Sequence, residues 1–118
     1  MPQVQGKRAS DLEFNLAAAL SKNKWSFEFQ VGFFGGRSVA GGFVIDFAVD
    51  TAPLPTPVNV QGAYWHTNEQ REQDKLVQSM FTSVLSSSYA QLLFAEEREC
   101  DTFQNANAWV LKNFGRAA

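Results

Sequence analysis

The sequence predicts one α/β domain in three layers, a central mixed sheet of about four strands flanked by helices. Three observations carry that expectation. Apolar residues recur at helical spacing behind a capping signal near the N-terminus; they alternate or run together over three short stretches mid-chain; and a last short apolar stretch is reached through a second helical pattern. Strands joined by short connections can form a meander, whereas a strand reached through a helix should lie parallel to its neighbour by a right-handed crossover. The 118 residues suit a single domain over 1–118, and a composition 45% hydrophobic, 14% aromatic and 19% charged is that of a globular chain.

The first nine residues are polar, carry Lys7 and Arg8, and read as a flexible tail. Ser10-Asp11-Leu12-Glu13 reads as a capping box, with Ser10 as N-cap and Glu13 reaching back to it. The helix it starts should bury Leu12, Leu16, Ala19 and Leu20. It should stop near Lys22-Asn23-Lys24, where basic residues suit the helix dipole. From Trp25 to Phe33 large apolar residues take alternate places, the pattern of a half-buried strand. Gly35, Gly36, Gly41 and Gly42 mark a turn region. Phe43–Val49 is apolar but for Asp46, which predicts a central strand. Thr51–Pro57 holds three of the four prolines and reads as a loop; Val58–Tyr64 follows as a third strand, broken by Gly62. A second helix is expected from Thr67 to Leu85, with Leu76, Val77, Met80, Phe81, Val84 and Leu85 on its apolar face. Tyr89–Ala95 is the fourth strand. Asp101 or Thr102 then caps a last helix, with Phe103, Ala106, Val110 and Phe114 on one face and Gly115 ending it.

A formal charge of −2 argues against a protein that coats nucleic acid, but leaves room for an enzyme that touches a few phosphates around an acidic pocket. The longest apolar run, Leu16 to Leu20, is far too short for a membrane span. The N-terminal residues lack the apolar centre of a secretory signal. Cys100 is the one cysteine, which rules out an intramolecular disulfide and fits a reducing compartment. One Cys and one His cannot form a zinc cluster. The expectation is a cytoplasmic protein, of a cell or of a phage inside its host, that does not enter a membrane.

Asp46 is the sharpest chemical feature, because a carboxylate inside an apolar strand must neutralise, find a partner or bind a metal. The bland alternative is that it alternates to an open face and is solvated. On the next strand Asn59 and Gln61 share one face. A metal nuclease needs carboxylates and carbonyl oxygens from adjacent strands converging on a hard cation, and Asp46 beside this strand has that layout.

The order of a helix with Glu13, a strand with Ile45-Asp46-Phe47, a strand ending in Gly62-Ala63-Tyr64-Trp65-His66 and a helix with Asp74 resembles the PD-(D/E)XK nuclease superfamily, whose fold is restriction-endonuclease-like. Within it the resemblance is to the very short patch repair endonucleases. It covers Ser10 to Ala95, with its specific part between Val44 and Asp74. The superfamily's usual acid and lysine, two residues apart on the third strand, are replaced here by Asn59 and Gln61. The very short patch enzymes also lack that pair and carry a histidine where Gln61 stands. The resemblance implies Mg²⁺, with Mn²⁺ as substitute, held by Asp46 and by the backbone carbonyl of Val60. It assigns His66 to phosphate or water, puts Gln61 in the place of a base, and gives Glu13 a supporting role.

Positive charge around a polyanion makes Lys24, Arg37, Arg71 and Lys75 candidate DNA contacts, Lys75 also because a helix lysine can replace a missing strand lysine. Each residue has its plainer reading. Glu13 is then only a capping acid, His66 a packed or hydrogen-bonded surface residue, Asp74 a partner of Lys75 or Arg71, and Trp65 a core residue rather than one that stacks on a base. The resulting expectation is a metal-dependent DNA endonuclease or nickase, in repair, junction resolution or phage DNA processing. A homodimer is expected if both strands are cut. Its rival is a catalytically degenerate module of the same fold with a DNA-binding or assembly role, which Asn59 and Gln61 would suit.

Overall fold

The computed structural model describes residues 2–33, 43–61, 75–79 and 82–118. In chain order the elements are β1 (Gln3–Val4), β2 (Lys7–Arg8), α1 (Asp11–Lys22), β3 (Phe27–Phe33), β4 (Phe43–Val49) and β5 (Thr56–Gln61). Helical residues at 75–79 and 82–83, labelled α2, lead to β6 (Leu93–Glu96), α3 (Glu97–Cys100) and α4 (Phe103–Asn113).

Residues 2–9 are not a free tail. Gln5 (φ 51°) and Gly6 (φ 78°) make a tight turn that pairs β1 with β2, as two left-handed residues in succession do in a two-residue hairpin. Val4 and Ala9 are buried beneath it. The side chain of Gln5 behaves like a short piece of strand: its Nε2 donates to Phe27 O at 2.6 Å, and its Oε1 accepts from Phe29 N at 2.9 Å. Lys7 Nζ donates to Phe29 O at 2.9 Å. Together they cover part of the outer edge of β3.

α1 begins where the capping box places it. Ser10 Oγ accepts from Glu13 N at 3.1 Å and Glu13 Oε1 accepts from Ser10 N at 2.8 Å. It ends at Asn23, whose buried amide donates to Ala19 O and Asn107 Oδ1, both at 2.8 Å. The left-handed Lys24 (φ 69°) then turns the chain toward the sheet.

Among the described residues one four-stranded mixed sheet has the order β3-β4-β5-β6: an antiparallel meander from β3 to β5, with β6 parallel to β5. This is the expected mixed α/β architecture. β4 has the expected bounds. β3 starts two residues late, because Trp25 turns aside to donate Nε1 to Gly115 O at 2.9 Å. β5 begins earlier than expected, at Thr56, which is held by a 2.7 Å hydroxyl contact to Thr51. The expected strand residues 62–64 lie outside the described ones.

Two expectations near α2 need correction. Residues 84–89 are not helical. The hydroxyls of Thr82 and Ser83 donate back to Gln78 O and Ser79 O, a bond that weakens a helix at its end. Val77 is buried, but Leu76 and Val84, expected on the same apolar face, are exposed; residues 67–74, Met80 and Phe81 lie outside the described ones. The fourth strand is displaced to Leu93–Glu96, because Tyr89 N and Ala90 N bond to Leu85 O and Pro55 O rather than to a ladder. α3 is a further short helix that the spacing does not predict. Thr102 caps α4 through Asn105 N at 3.0 Å, and the left-handed Gly115 (φ 69°) follows its end.

Two cores result. Leu16, Ala19 and Leu20 of α1 and Ala106 and Val110 of α4 pack with Phe29, Phe47, Val49, Val58 and Ala95 of the sheet. A second cluster joins Phe43, Ile45, Val77 and Leu92, with Val31, Phe33, Ala48 and Phe94 against it. Phe29 and Val31 have the same parity on β3, as do Ile45 and Phe47 on β4, yet each pair is divided between the two cores. The left-handed Gln30 (φ 57°) lies between Phe29 and Val31, and Asp46 between Ile45 and Phe47. The pleat breaks there, and the apolar side of each strand passes from one core to the other.

Candidate functional site

β4 reads as a continuous apolar run because Phe43, Ile45, Phe47 and Val49 are all buried, the first two in one core and the last two in the other. Asp46 stands at the changeover. The β4–β5 ladder runs through Val49↔Thr56, Ala48↔Pro57 and Phe47↔Val58, and the next pair in that register would be Asp46 with Asn59. Side chains replace the ladder at that point. Asn59 Oδ1 accepts from Asp46 N at 3.0 Å, and Asp46 Oδ2 accepts from Val60 N at 2.8 Å. Each side chain satisfies a backbone donor of the opposite strand, which would otherwise lose a bond as the strands part.

The sheet also decides what surrounds this carboxylate. Val58 and Val60 pack on the α1/α4 side, so alternation turns Asn59 and Gln61 to the other. Val77 of α2 belongs to the cluster on that other side. In an extended strand the N–H and C=O of one residue point to the same edge. The amide of Val60 faces Asp46, and its carbonyl therefore opens toward β4. Asp46, Val60 and Gln61 offer a carboxylate, a backbone carbonyl and an amide oxygen. An all-oxygen set of this kind suits a hard cation such as Mg²⁺, which takes one or two carboxylates and leaves its other positions to water and substrate phosphate. The donor chemistry fits the implied metal.

The other sequence-predicted residues are spread more widely. Glu13 sits at the start of α1, in the helix layer behind Val58 and Val60, with Oε1 committed to Ser10 N. Asn15, half a turn further on, donates to Cys100 O at 2.8 Å, which ties this end of α1 to the end of α3. Lys24 is exposed beyond the opposite end of α1, next to the start of β3 and remote from Gln61. Lys75 is exposed on α2, in the layer that covers the face of Gln61. Arg37, His66 and Arg71 lie outside the described residues, as do Trp65 and Asp74.

Among the described residues no three His, Cys, Asp or Glu side chains are grouped as a metal cluster, and no helix is long and apolar enough to cross a membrane. An open groove of about 490 Å³, lined by Phe14, Ala17, Trp25 and Phe27 among others, lies beside α1. It contains no titratable side chain and none of the residues singled out from sequence. Cys100 is fully buried, and burial with Glu99 and Asp101 nearby pushes its thiol up to about 12, so it is no nucleophile at neutral pH.

Asp46 stands out in the sequence from its apolar surroundings, whereas nothing there marks Asn59 beyond its departure from the family pattern. The signal was its place opposite Asp46, which becomes visible only with the strand register. No protein-family model matches the chain and no curated protein matches it.

Proposed function

We propose that this chain is a divalent-metal-dependent endonuclease or nickase that hydrolyses phosphodiester bonds in DNA. One observation carries the reading: the carboxylate that interrupts the apolar β4 is held where β4 and β5 part, beside Val60 and the polar face of Asn59 and Gln61. Bound there, Mg²⁺ would polarise the scissile phosphate and lower the pKa of the attacking water. The remaining tasks fall to the chain itself. Asp46 supplies the anionic ligand, and the bond from Val60 N fixes its orientation before a cation arrives. Gln61 can orient a water through its amide but cannot take its proton, since a carboxamide does not titrate in water. His66 is assigned that proton or a phosphate oxygen. Lys75, with Arg37 and Arg71, is assigned phosphate charge. Repair nicking, junction resolution and phage DNA processing all suit this chemistry, with a homodimer required for cutting both strands.

A second reading draws on the same hydrogen bonds. The exchange between Asp46 and Asn59 completes the sheet without a cation, which suits a nuclease-fold module that binds DNA or an assembly and does not cut. Calorimetric titration with Mg²⁺ and Mn²⁺, alongside single-turnover cleavage of duplex, mismatched and branched DNA, separates the two. The nuclease reading expects metal binding and cleavage in the native chain, and loss of both in Asp46→Asn. A native chain that binds neither metal and cuts none of these substrates leaves the non-catalytic module.

A further inference from the structure

α1 carries two stripes of residues. Leu16, Ala19 and Leu20 enter the core against the sheet. Phe14, Ala17, Ala18 and Ser21 recur at i, i+3, i+4 and i+7, which sets them on one neighbouring face of the helix. That face is one wall of the open groove of about 490 Å³, whose other walls are residues 3–5 of the hairpin and 25–27 at the start of β3. The two alanines leave a recess between Phe14 and Ser21, and Phe14 is 45% exposed beside it. The aromatic walls are fixed in advance. Trp25 is held by its Nε1 bond to Gly115 O and by the ring of Phe114 at 5.9 Å. Phe27 packs edge-on to Phe47 at 5.4 Å. Gln5 has both ends of its amide committed to β3.

We propose that this groove binds a neutral heteroaromatic ring with hydrogen-bonding groups on its edge, and that a purine nucleoside is the ligand class it takes. Its volume lies within the roughly 300–1,000 Å³ of small-molecule sites. Phe14, Trp25 and Phe27 supply aromatic surface for a flat ring, and walls already held in place lose little freedom when the ring arrives. Among the described residues no titratable side chain lines the groove. A phosphate there would lose water without gaining a partner, which favours the uncharged nucleoside over a nucleotide. The polar groups stand exposed at the rim: the carboxamide of Gln3 and the hydroxyls of Ser21 and Ser26. A carboxamide offers a donor and an acceptor side by side, the pair that matches the N6 and N7 edge of adenine. Hydroxyls both donate and accept, as the ribose of a nucleoside does. None of this draws on a cation at Asp46.

The test is a titration of the full chain with adenosine, followed in amide correlation spectra, with cyclohexanol as the non-aromatic control. Saturable shifts should appear at the Trp25 indole N–H and at the amides of residues 3–5, 14–21 and 25–27, and cyclohexanol should leave them unmoved. Ala18→Leu fills the recess and should weaken adenosine about tenfold or more. Gln3→Ala, on the surface, should weaken it about fivefold, as the loss of one neutral hydrogen bond does. If Ala18→Leu lowers the melting temperature, Ser21→Phe decides in its place. It narrows the exposed rim and should also weaken adenosine, and unchanged affinity counts against the groove. Asp46→Asn should bind adenosine like the native chain, so failure of the groove and failure of the nuclease reading are told apart. Absence of saturable shifts, shifts confined to other residues, or equal effects of cyclohexanol overturns the proposal.

Discussion

A ligand role and a structural role make different demands on Asp46, and two substitutions tell them apart. The structural role needs only an acceptor for Val60 N. Asn can supply one through its carbonyl oxygen, whereas Ala leaves the amide without its partner, at a cost of about 1–3 kcal/mol. Asp46→Asn should therefore melt close to the native chain, Asp46→Ala several degrees lower, and neither should bind metal. Equal melting of the two variants, in a thermal scan at one pH, would remove the structural role. Asn59→Ala deletes the acceptor for Asp46 N and should resemble Asp46→Ala in melting. Cys100 gives a residue-scale prediction of another kind. Its thiol ionises near 9 when free and near 12 in the fold. Above about pH 9 the unfolded chain loses this proton and the folded one keeps it, so its contribution to stability, full below that pH, is lost between roughly 9 and 12. Chemical denaturation from pH 7 to 11 should show that decline, and Cys100→Ser should flatten it. Asp46 could be picked out from sequence, because an acid in an apolar run demands an explanation. Its exchange with Asn59 could not, because the register that brings them opposite is a tertiary property.

Among the described residues β3 stands at the edge of the sheet, and an uncovered edge is a template for pairing with another chain. Here the hairpin β1–β2 covers part of it, through the two Gln5 bonds to Phe27 and Phe29 and the Lys7 bond to Phe29. Gln5→Ala should lower stability by about 1–2 kcal/mol, the net value of two hydrogen bonds. Removal of residues 2–8 should go further and make the chain associate in a concentration-dependent way, read by sedimentation. A monomeric, equally stable truncation would show that the hairpin does not protect the edge. At this scale sequence signals succeed when they are local. The Ser10–Glu13 capping box and the unbroken Phe43–Val49 run involve neighbours only. The hairpin escapes because Gln-Gly lacks the usual Asn or Asp of such turns. The kink at Gln30 escapes because no glycine marks its left-handed backbone. β6 is misplaced because Tyr89–Leu92 is as apolar as the strand that follows, and only contacts with distant residues decide which part joins β5.

Across the molecule the parallel entry of β6 beside β5 follows from a helical connection, and that part of the topology could be read from the order of patterns alone. The division into two cores could not, since it depends on a pleat break that keeps the register between β3 and β4 unchanged on either side of Gln30 and Asp46. The division has an energetic consequence. Phe47 is fully buried, with its ring 5.4 Å from that of Phe27 and 5.1 Å from that of Phe29, in the core that joins α1 and α4 to the sheet. Phe43 lies in the other core, its ring stacked at 5.2 Å on that of Phe33. Truncating a buried Phe to Ala costs about 3–5 kcal/mol wherever it occurs, but the loss should spread differently from the two places. Phe47→Ala removes the centre of the core that holds both long helices, so amide exchange should quicken in α1, α4 and all four strands together. Phe43→Ala weakens the core beyond the break. Exchange should then quicken at 31–33 and 43–45, while the amides of Leu16 to Leu20 and of Ala106 to Val110 keep most of their protection, as expected of a local opening below the global one. Asp46 sits on the boundary, and a cation bound there should slow exchange on the Phe43 side of the native chain. Native-state exchange on the two variants, measured at equal fractions folded, decides the matter. Loss of protection in α1 on Phe43→Ala as deep as on Phe47→Ala would make the two cores a single cooperative unit, with the break at Asp46 a change of direction and not of stability.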